Sequence, residues 1–598
     1  MQNFDSIATN EQKDVIDFAV HGADNMIINA IAGSGKTKVL VECVRAIKEA
    51  YPKKKILMVA HNKSAADKLR GEIYKTIMGL DDDYVLPNDD DSRKARIKYL
   101  WKETNIRVST LHALGFRLLY SKFGKIEEKK QVDNTDEKYY REFIGNQNTY
   151  SEAYSFLSEG DKATYRSNLK DTLKKARLNL KEKEKDIRRL MEGHYDVSLI
   201  ADEAHAAQEL IKWGASTILP SAEDTAKGLN FSENGRIDYT DMLWLPFKLG
   251  INVEKKEEYD VILLDEAQDA SPAQMDVLKR IFSRSARLIA VGDEQQQINV
   301  WAGSDTEAFE HLRDSLVFRR RAKNFNLSTN FRCDKKILEE GGRYFREKGN
   351  LKLNPREDAG EGEVLEDVHV SLSHGYFHGG DLVMCRQTSP LVYLYKKMVQ
   401  NNIKCFIEGK DDGRKLNDVI EDAKCGDNFD DIKIAVKKRL VNLYDEHKEK
   451  NPNTESVPEN ITALMDNVLS LECFPDTIKT RKQAEEFIKG MFMDTIEEEN
   501  SRIEDRVRLS TIHKMKGQEA DNVYILCPNL IPSNLAKSEW QRTEETHLRY
   551  VMCTRAKHKL AYISESDFPS FTAFLNKEKF SKKIELYREE VATHERKK

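Results

Sequence analysis

The sequence predicts an α/β protein of two parallel-sheet units in tandem, each interrupted by a mainly helical insertion. Short apolar runs alternate with amphipathic helical patterns at 26–60 and resume at 261–291, as expected for strands buried on both faces of a parallel sheet. A second series of apolar runs follows at 325–327, 382–385, 507–509, 523–527 and 560–563. With 598 residues, the chain is also too long for one hydrophobic core.

Two stretches lack β-branched runs but keep charged helical periodicity, and they predict the insertions. The predicted divisions are 1–115 with 233–320 for the first unit, 116–232 for its insertion, 321–410 with 503–580 for the second unit, 411–502 for a reduced second insertion, and 581–598 for a charged tail that is expected to fray. No internal repeat is expected.

Composition excludes some classes of protein. The chain is 39% hydrophobic and 33% charged, and no stretch of eighteen apolar residues predicts a membrane span. The first residues lack the basic and apolar regions of a signal peptide, so we expect a cytoplasmic protein whose eight scattered cysteines are reduced thiols. The net charge of −5 does not decide whether nucleic acid binds, because a basic track can lie within a mildly acidic protein.

Residues 29–38 give the strongest functional signal. They read Asn-Ala-Ile-Ala-Gly-Ser-Gly-Lys-Thr-Lys after the apolar run 26–28, which predicts a strand, a glycine loop and a helix. Glycines let backbone N–H groups approach phosphate oxygens, Lys36 would neutralise the β/γ charge, and the Thr37 hydroxyl could reach Mg²⁺. Ala30 stands where the general phosphate-loop pattern has glycine.

An acidic pair provides the second signal. Asp265 and Glu266 directly follow the buried strand predicted at 261–264. Asp265 would hold Mg²⁺ and Glu266 would polarise an attacking water. An acidic surface turn is the alternative, but four apolar residues directly before the pair argue against it.

With these residues in place, the chain resembles the superfamily 1 helicases of the UvrD/Rep type. The phosphate loop of that family reads A-x-A-G-S-G-K-T, which matches Ala30 through Thr37, so the alanine is normal for the family. Further segments resemble family motifs in the same order, at 59–66, 109–112, 237–243, 291–298, 327–332, 509–519 and 550–556. Two departures, Asn299 and Ala302, stand where the family usually has Tyr and Arg, which weakens two expected strand contacts.

The resemblance implies two RecA-like motor domains with ATP and Mg²⁺ between them. It assigns catalytic roles to Glu266, Gln296, Arg332 and Arg555. It assigns nucleotide contacts to Gln12, Ala32, Gly33, Ser34, Gly35, Lys36, Thr37, Phe331 and Glu519, and Mg²⁺ to Thr37 and Asp265. It assigns strand contacts to Asn62, Lys63, Thr110, His112, Trp301, Thr511 and His513. Arg386 resembles an arginine on a strand of the family's second domain.

The implied activity is ATP-dependent translocation on single-stranded DNA with duplex unwinding, in the 3′→5′ direction. The expected partners are single-stranded and tailed duplex DNA, without a membrane, and a protein loading partner is left open. The alternative is a DNA-stimulated ATPase that acts as a sensor or recruitment module and unwinds little. The short second insertion, Asn299 and Ala302 all fit that alternative, and strand displacement separates the two. A fused nuclease is not expected, since little chain follows Ala556 and 411–502 shows no compact carboxylate-lysine signature.

Overall fold

The computed structural model describes most of the chain. The described residues are 8–80, 90–124, 126, 136–157, 159–195, 197, 199–252, 259–282, 286–300, 303–305, 308–313, 321–345, 351–370, 372, 376–450, 457–493, 505–533, 538–568, 571, 573–574 and 576–597. No helix in this part of the chain combines the length and the apolar character that a membrane crossing requires.

The first sheet has six strands, and every neighbouring pair is parallel. Its strands are β1 (Asn25–Ala30), β2 (Ile56–Ala60), β3 (Ile106–Thr110), β4 (Val261–Leu264), β5 (Arg287–Gly292) and β6 (Ala322–Leu327). Their spatial order is β3-β2-β4-β5-β1-β6. Successive residues of β2 point to opposite faces: Leu57 and Val59 join one apolar core, whereas Met58 joins the other. Both faces are therefore covered, which explains the continuous apolar runs in the sequence.

Helices cover this sheet and form the first insertion. They are α1 (Asn10–His21), α2 (Lys36–Ala50), α3 (Lys63–Met78), α4 (Asp90–Thr104), α5 (Leu111–Phe123), α6 (Arg141–Gly145), α7 (Gln147–Tyr150), α8 (Glu159–Leu178), α9 (Glu184–Arg188), α10 (Glu203–Ser216), α11 (Ala222–Ala226), α12 (Tyr239–Lys248), α13 (Pro272–Ile281) and α14 (Ala308–Arg313). The insertion shares one apolar core with the sheet, because Tyr165 and Leu210 of the insertion belong to the same cluster as Val59.

A buried ionic cluster fixes the first insertion to the start of α12. Arg177, at the end of α8, donates to Asp238 at 3.0 Å and to Asp241 at 2.6 Å. The Lys138 ammonium lies 2.6 Å from the other oxygen of Asp241, and the Tyr139 hydroxyl donates to Asp241 at 2.7 Å. All these charged side chains are at most 1% exposed. Because a buried charge without its partner is costly, the cluster holds the insertion in one position.

The second sheet has seven strands, again with parallel neighbours. Its strands are β9 (Glu363–Val368), β10 (Leu382–Cys385), β11 (Cys405–Glu408), β12 (Phe492–Met493), β13 (Val507–Thr511), β14 (Ala520–Ile525) and β15 (Ala556–Ile563), and the short strands β7 (Thr329–Asn330) and β8 (Asn354–Pro355) pair separately. The spatial order is β12-β11-β13-β10-β14-β15-β9.

The helices of this half are α15 (Lys335–Gly342), α16 (Ser389–Gln400), α17 (Lys410–Asp422), α18 (Phe429–Lys450), α19 (Glu459–Glu472), α20 (Arg481–Met491), α21 (Glu539–Cys553) and α22 (Lys577–Lys597). Helices α17–α20 form the second insertion, whose apolar side chains continue the core of the second sheet. The two insertions touch, since Asn460 on α19 donates to Asn168 on α8 at 3.1 Å. The predicted fold class, two parallel-sheet α/β units with helical insertions, is confirmed.

Two predictions about the division of the chain are wrong. The run 325–327, assigned to the second unit, lies in β6, and β6 pairs with β1 along its whole length. Strand β6 lies at the edge of the sheet and is half exposed, so its residues do not indicate to which of the two sheets it belongs. We therefore propose that the first domain extends through Leu327 rather than ending at residue 320.

The charged tail at 581–598 was expected to fray, but its described residues form most of helix α22. Phe580, Ile584 and Tyr587, spaced by about one helical turn, are fully buried against the second insertion. Ion pairs flank this stripe: Lys437 of α18 lies 2.5 Å from Glu590, and Asp445 lies 2.9 Å from Arg588. The apolar stripe, whose neighbours in the sequence are mostly charged, therefore packs α22 against the second insertion.

Candidate functional site

The phosphate loop connects β1 to α2 as the sequence predicts. Gly33 and Gly35 have φ values of +69° and +78°, in the left-handed region that glycine adopts without strain. The Ser34 hydroxyl donates to the Ile31 carbonyl at 2.8 Å and closes the turn. Lys36 is the first residue of α2, so its ammonium group and the backbone N–H groups of the first helical turn belong to the same end of the loop.

Gln12 lies against this loop. Thr9 and Gln12 form a capping box at the start of α1, with Gln12 Oε1 accepting from the Thr9 N–H at 3.1 Å. Gln12 Nε2 donates to the Ser34 carbonyl at 3.2 Å. The residue expected to read adenine therefore already joins α1 to the phosphate loop.

The acidic pair follows β4, next to the loop. The Asp265 N–H donates to Val59 at 2.9 Å, and the Thr37 hydroxyl lies 3.4 Å from Asp265 Oδ2. Burial and the adjacent Glu266 carboxylate raise the pKa of Asp265. Hydroxyl and carboxylate oxygens are ligands that Mg²⁺ prefers, and a divalent cation beside Asp265 would offset the burial that raises its pKa. Thr37 and Asp265 therefore fit a magnesium site.

Glu266 is held in an unusual conformation. Its φ of +51° is positive, which is uncommon for a residue other than glycine. Gln268 Nε2 donates to Glu266 Oε2 at 2.6 Å and fixes the carboxylate. Burial opposes its ionisation, but the Lys36 and Lys516 charges, together with the Gln268 hydrogen bond and His61, lower the pKa of Glu266. Glu266 is thus an oriented anion at neutral pH.

Gln296 and Arg555 meet across the two sheets. Gln296 Nε2 donates to Asp293 at 2.6 Å, and Gln296 Oε1 accepts from Arg555 Nη2 at 3.2 Å. Arg555 follows α21, is 1% exposed and also donates to the Val551 and Gln518 carbonyls at 3.0 and 3.2 Å. Burial, with the nearby Arg332 charge, lowers the pKa of Arg555 to about 9, so it remains a cation at neutral pH. Two of the predicted catalytic residues therefore touch.

Further contacts from the second half close onto the phosphate loop. Asn330 Nδ2 donates to the Ala32 carbonyl at 2.7 Å, and the Phe331 N–H donates to the Gly33 carbonyl at 2.8 Å. The Tyr550 hydroxyl accepts from the Ala32 N–H at 2.9 Å. A Cβ atom on Gly33 would lie 2.7 Å from Asn330 Nδ2, so glycine is needed there for this approach as well.

Arg332 and Glu519, expected to contact the γ-phosphate and the ribose, form an ion pair with each other. Arg332 also donates to the Thr554 carbonyl at 3.0 Å. The pair lies beside Arg555, whose pKa responds to the Arg332 charge. The ion pair joins Nε of Arg332 to Oε2 of Glu519.

Lys516 contacts residues of the first half, although the sequence did not predict a role for it. Its ammonium lies 2.6 Å from Asp269 Oδ2 and also donates to the Gln296 carbonyl. The motif at 509–519 contained this lysine, but only the folded arrangement shows that it reaches the first half. Asn330 and Tyr550 were missed in the same way.

The strand contacts predicted in the first half lie at the carboxyl ends of β2 and β3. Asn62 caps α3 by accepting from Ala65 at 2.8 Å, and Thr110 caps α5 by accepting from Ala113 at 3.2 Å. Lys63 begins α3. Burial and the nearby His61 and Lys174 charges lower the pKa of His112 to about 4. These side chains thus share one sheet edge with the phosphate loop, and two of them, Asn62 and Thr110, also cap helices.

The strand contacts predicted in the second half lie at the carboxyl end of β13, as those of the first half lie at the carboxyl ends of β2 and β3. Thr511 ends β13, and His513 lies in the short 3₁₀ helix that follows. Both line a cavity of about 330 Å³ between the sheet, the second insertion and α21. Arg386, at the same edge, donates to Glu545 at 2.9 Å. Trp301 lies outside the described residues, so its stacking role stays a prediction.

The ends of β3 and β13 carry a short internal repeat, although no repeat was expected. Residues 107–112 read Arg-Val-Ser-Thr-Leu-His and residues 508–513 read Arg-Leu-Ser-Thr-Ile-His. In each copy the serine hydroxyl lies 3.3 Å from the following threonine carbonyl. Six residues are too short to stand out in a search for long repeats, but each copy ends a strand of its own sheet.

Comparison with known families agrees with this arrangement. Residues 8–316 match the model of the UvrD/REP helicase N-terminal domain. The chain belongs to the UvrD/Rep helicase family. Residues 387–567 match the UvrD-like helicase C-terminal domain, so both halves of the family architecture are present.

Individual relatives are distant. The chain is 25% identical over 275 residues to a probable DNA helicase II homolog of Mycoplasma pneumoniae, covering 41% of this chain and 36% of the relative. It is 23% identical over 342 residues to the ATP-dependent DNA helicase PcrA of Staphylococcus epidermidis, covering 55% and 38%. It is 24% identical over 351 residues to the F-box DNA helicase protein 1 of Schizosaccharomyces pombe, covering 58% and 34%. The chain therefore spans little more than a third of the length of these curated relatives.

Proposed function

We propose that this chain is an ATP-dependent DNA helicase that translocates 3′→5′ along single-stranded DNA and couples ATP hydrolysis to duplex unwinding. The observation that carries the proposal is the contact of Arg555 with Gln296, by which an arginine of the second half lies next to the half that carries the phosphate loop and the acidic pair. An arginine supplied across such a cleft stabilises the charge that develops during phosphoryl transfer. The substrates are ATP, single-stranded DNA and tailed duplex DNA.

The geometry of the first half supports the proposed nucleotide roles. Lys36 and the loop N–H groups would bind the phosphates, and Thr37 with Asp265 would hold Mg²⁺. When bound, Mg²⁺ neutralises charge on the phosphate oxygens. Glu266 orients the attacking water by accepting its hydrogen bond. Its lowered pKa suits orientation more than lasting proton capture, which agrees with a reaction that needs little covalent help from the protein.

Coupling runs through the segment that joins β13 to β14. Thr511 and His513 at its start face the cavity at the sheet edge. Lys516 and Gln518 at its end contact Gln296 and Arg555 respectively. Because one short segment contacts both the nucleotide cleft and the proposed strand track, hydrolysis that moves the halves apart would also move the strand contacts.

Two further lines support the proposal. The three relatives are described as DNA helicases, one of them as ATP-dependent. The 3′→5′ direction rests on the resemblance of the motifs at 109–112 and 550–556 to the UvrD/Rep branch.

The direct test measures strand displacement and ATP turnover together on duplexes with either a 3′ or a 5′ single-stranded tail. We expect displacement from the 3′-tailed duplex, stimulation of turnover by either tail, and loss of both activities in Lys36→Ala. Strong DNA-stimulated turnover without displacement would favour the sensor function, and turnover unaffected by DNA would contradict both.

A further inference from the structure

A compact charge cluster lies in the cavity beside Thr511 and His513. Asp412, in the first turn of α17, accepts from two lysines: Lys514 at 2.7 Å through Oδ2 and Lys415 at 3.2 Å through Oδ1. All three residues line the cavity. One carboxylate from the second insertion thus holds two cations, one from its own helix and one from the motif that ends β13.

The backbone at Gly409 leaves space for the Lys514 side chain. Gly409, which precedes α17, has a φ of +116°, and a Cβ atom there would lie 1.7 Å from Lys514 Nζ. The ammonium therefore passes over the start of α17 through space that only glycine leaves. A positive charge is unfavourable at a helix N-terminus, so Asp412 is the group that stabilises the lysine in this position.

Among the described residues that line the cavity, the other basic side chains, Arg386 and His513, are paired or neutral. Arg386 is engaged by Glu545, with its Nη2 atom 2.8 Å from the carboxylate. Burial and the Arg386 and Lys415 charges lower the pKa of His513 far below its usual value, so the imidazole is neutral. Lys415 and Lys514 are thus the cations that can exchange one anionic partner for another.

We propose that Lys415 and Lys514 bind a backbone phosphate of the single strand that crosses Thr511 and His513, and that Asp412 occupies the phosphate position until the strand arrives. The inference rests on the proposed function, which places the strand at this edge. A phosphate offers the same kind of anionic oxygen acceptors as the carboxylate, so the lysines can transfer without moving far. Asp412 then competes with the phosphate for the two lysines and lowers their affinity for it. A lower affinity lets the protein release one phosphate and bind the next.

The chain offers a matched control. Asp430, in the first turn of α18, lies 2.7 Å from Lys433 three residues later, as Asp412 pairs with Lys415. Both aspartates belong to the second insertion, but Asp430 and Lys433 are not among the residues that line the cavity. Asp430→Asn removes the same charge from a similar helix start without touching the strand track.

The experiment measures binding of a fluorescent oligothymidylate to the full chain by anisotropy, over a series of salt concentrations. Asp412→Asn should bind about fivefold more tightly than wild type, since a partly exposed ion pair contributes up to about 1 kcal/mol and tenfold in affinity corresponds to about 1.4 kcal/mol. Lys514→Ala should weaken binding and reduce the slope of log K against log salt by about 0.7, the loss of one phosphate contact. Asp430→Asn should match wild type in both respects.

The outcomes separate this inference from the proposed function. If wild type binds the oligonucleotide and its ATP turnover responds, but Asp412→Asn has unchanged affinity or Lys514→Ala keeps the full salt slope, the exchange is refuted and the helicase proposal stands. If wild type does not bind single strands, both fail. Should Asp412→Asn not fold, the salt slope of Lys514→Ala still decides, because exchange predicts the loss and a purely structural ion pair does not.

Discussion

Replacing Glu266 by glutamine tests the role of the acidic pair most sharply. The substitution keeps the side-chain shape and one acceptor oxygen but removes the charge that Lys36 and Lys516 stabilise. The hydrogen bond from Gln268, 2.6 Å long, can persist to the remaining carbonyl oxygen. The variant should therefore fold and keep its loop geometry while losing the anion that orients water.

The size of the effect follows from what is lost and what is kept. Positioned acid–base groups contribute roughly 10²–10⁴-fold in rate, which corresponds to about 3–5.5 kcal/mol in the barrier at 1.36 kcal/mol per factor of ten. Nucleotide binding should not weaken, because the Glu266 charge is one cause of the raised pKa of Asp265 and its removal favours the ionised Asp265. We expect kcat to fall at least a hundredfold while ATP affinity stays within about threefold of wild type.

The assay combines steady-state ATP turnover with saturating single-stranded DNA and equilibrium binding of a fluorescent ATP analogue. Glu49→Gln serves as the control, because Glu49 lies on α2, the helix that begins with Lys36, but is exposed and paired with Arg45 at 2.7 Å. The control should match wild type. A Glu266→Gln variant with kcat within tenfold of wild type would refute the assignment of this carboxylate.

Three further substitutions or conditions test other parts of the structure. Arg555→Ala should lower kcat by about 10³-fold or more with a smaller change in ATP affinity, in the same turnover assay. Arg177→Ala leaves Asp238 buried without its cation and Asp241 with Lys138 alone, and it should lower the free energy of unfolding by about 3–5 kcal/mol in a urea titration. Because the pKa of His112 is lowered to about 4, it stays neutral between pH 6 and 8, and His112→Asn should leave the pH dependence of oligonucleotide affinity unchanged over that range. Acidification below the ordinary histidine pKa of about 6.5 should destabilise the wild type more than His112→Asn, since only the unfolded chain then takes up the proton at His112.

Local patterns predicted much of the motor architecture. The continuous apolar runs predicted parallel strands because strands covered on both faces cannot show alternation, and β2 does contribute to two cores. The loop glycines and the acidic pair were recognisable because each depends on neighbours in sequence. The pairing of Gln296 with Arg555 came from the resemblance to the UvrD/Rep family and not from local patterns, and their side chains meet at 3.2 Å.

Features that depend on distant partners were not predictable in this way. The edge strand β6 shows no sequence preference between the two sheets, because an edge position imposes little burial. The burial of Phe580, Ile584 and Tyr587 depends on the second insertion, which lies far from them in the sequence. The exchange of partners by Lys514 depends on Asp412, about a hundred residues earlier, and no local pattern joins the two.

The central claim is that ATP hydrolysis between the two sheets moves the protein along a single strand toward its 5′ end. The most direct measurement follows a fluorophore at either end of an oligothymidylate after rapid mixing of pre-bound protein with ATP, over a series of lengths. The account predicts that the arrival time at a 5′ label grows linearly with length, whereas a 3′ label reports departure without a length-dependent delay. Arrival times that do not depend on length, or a length-dependent delay at the 3′ label, would contradict it.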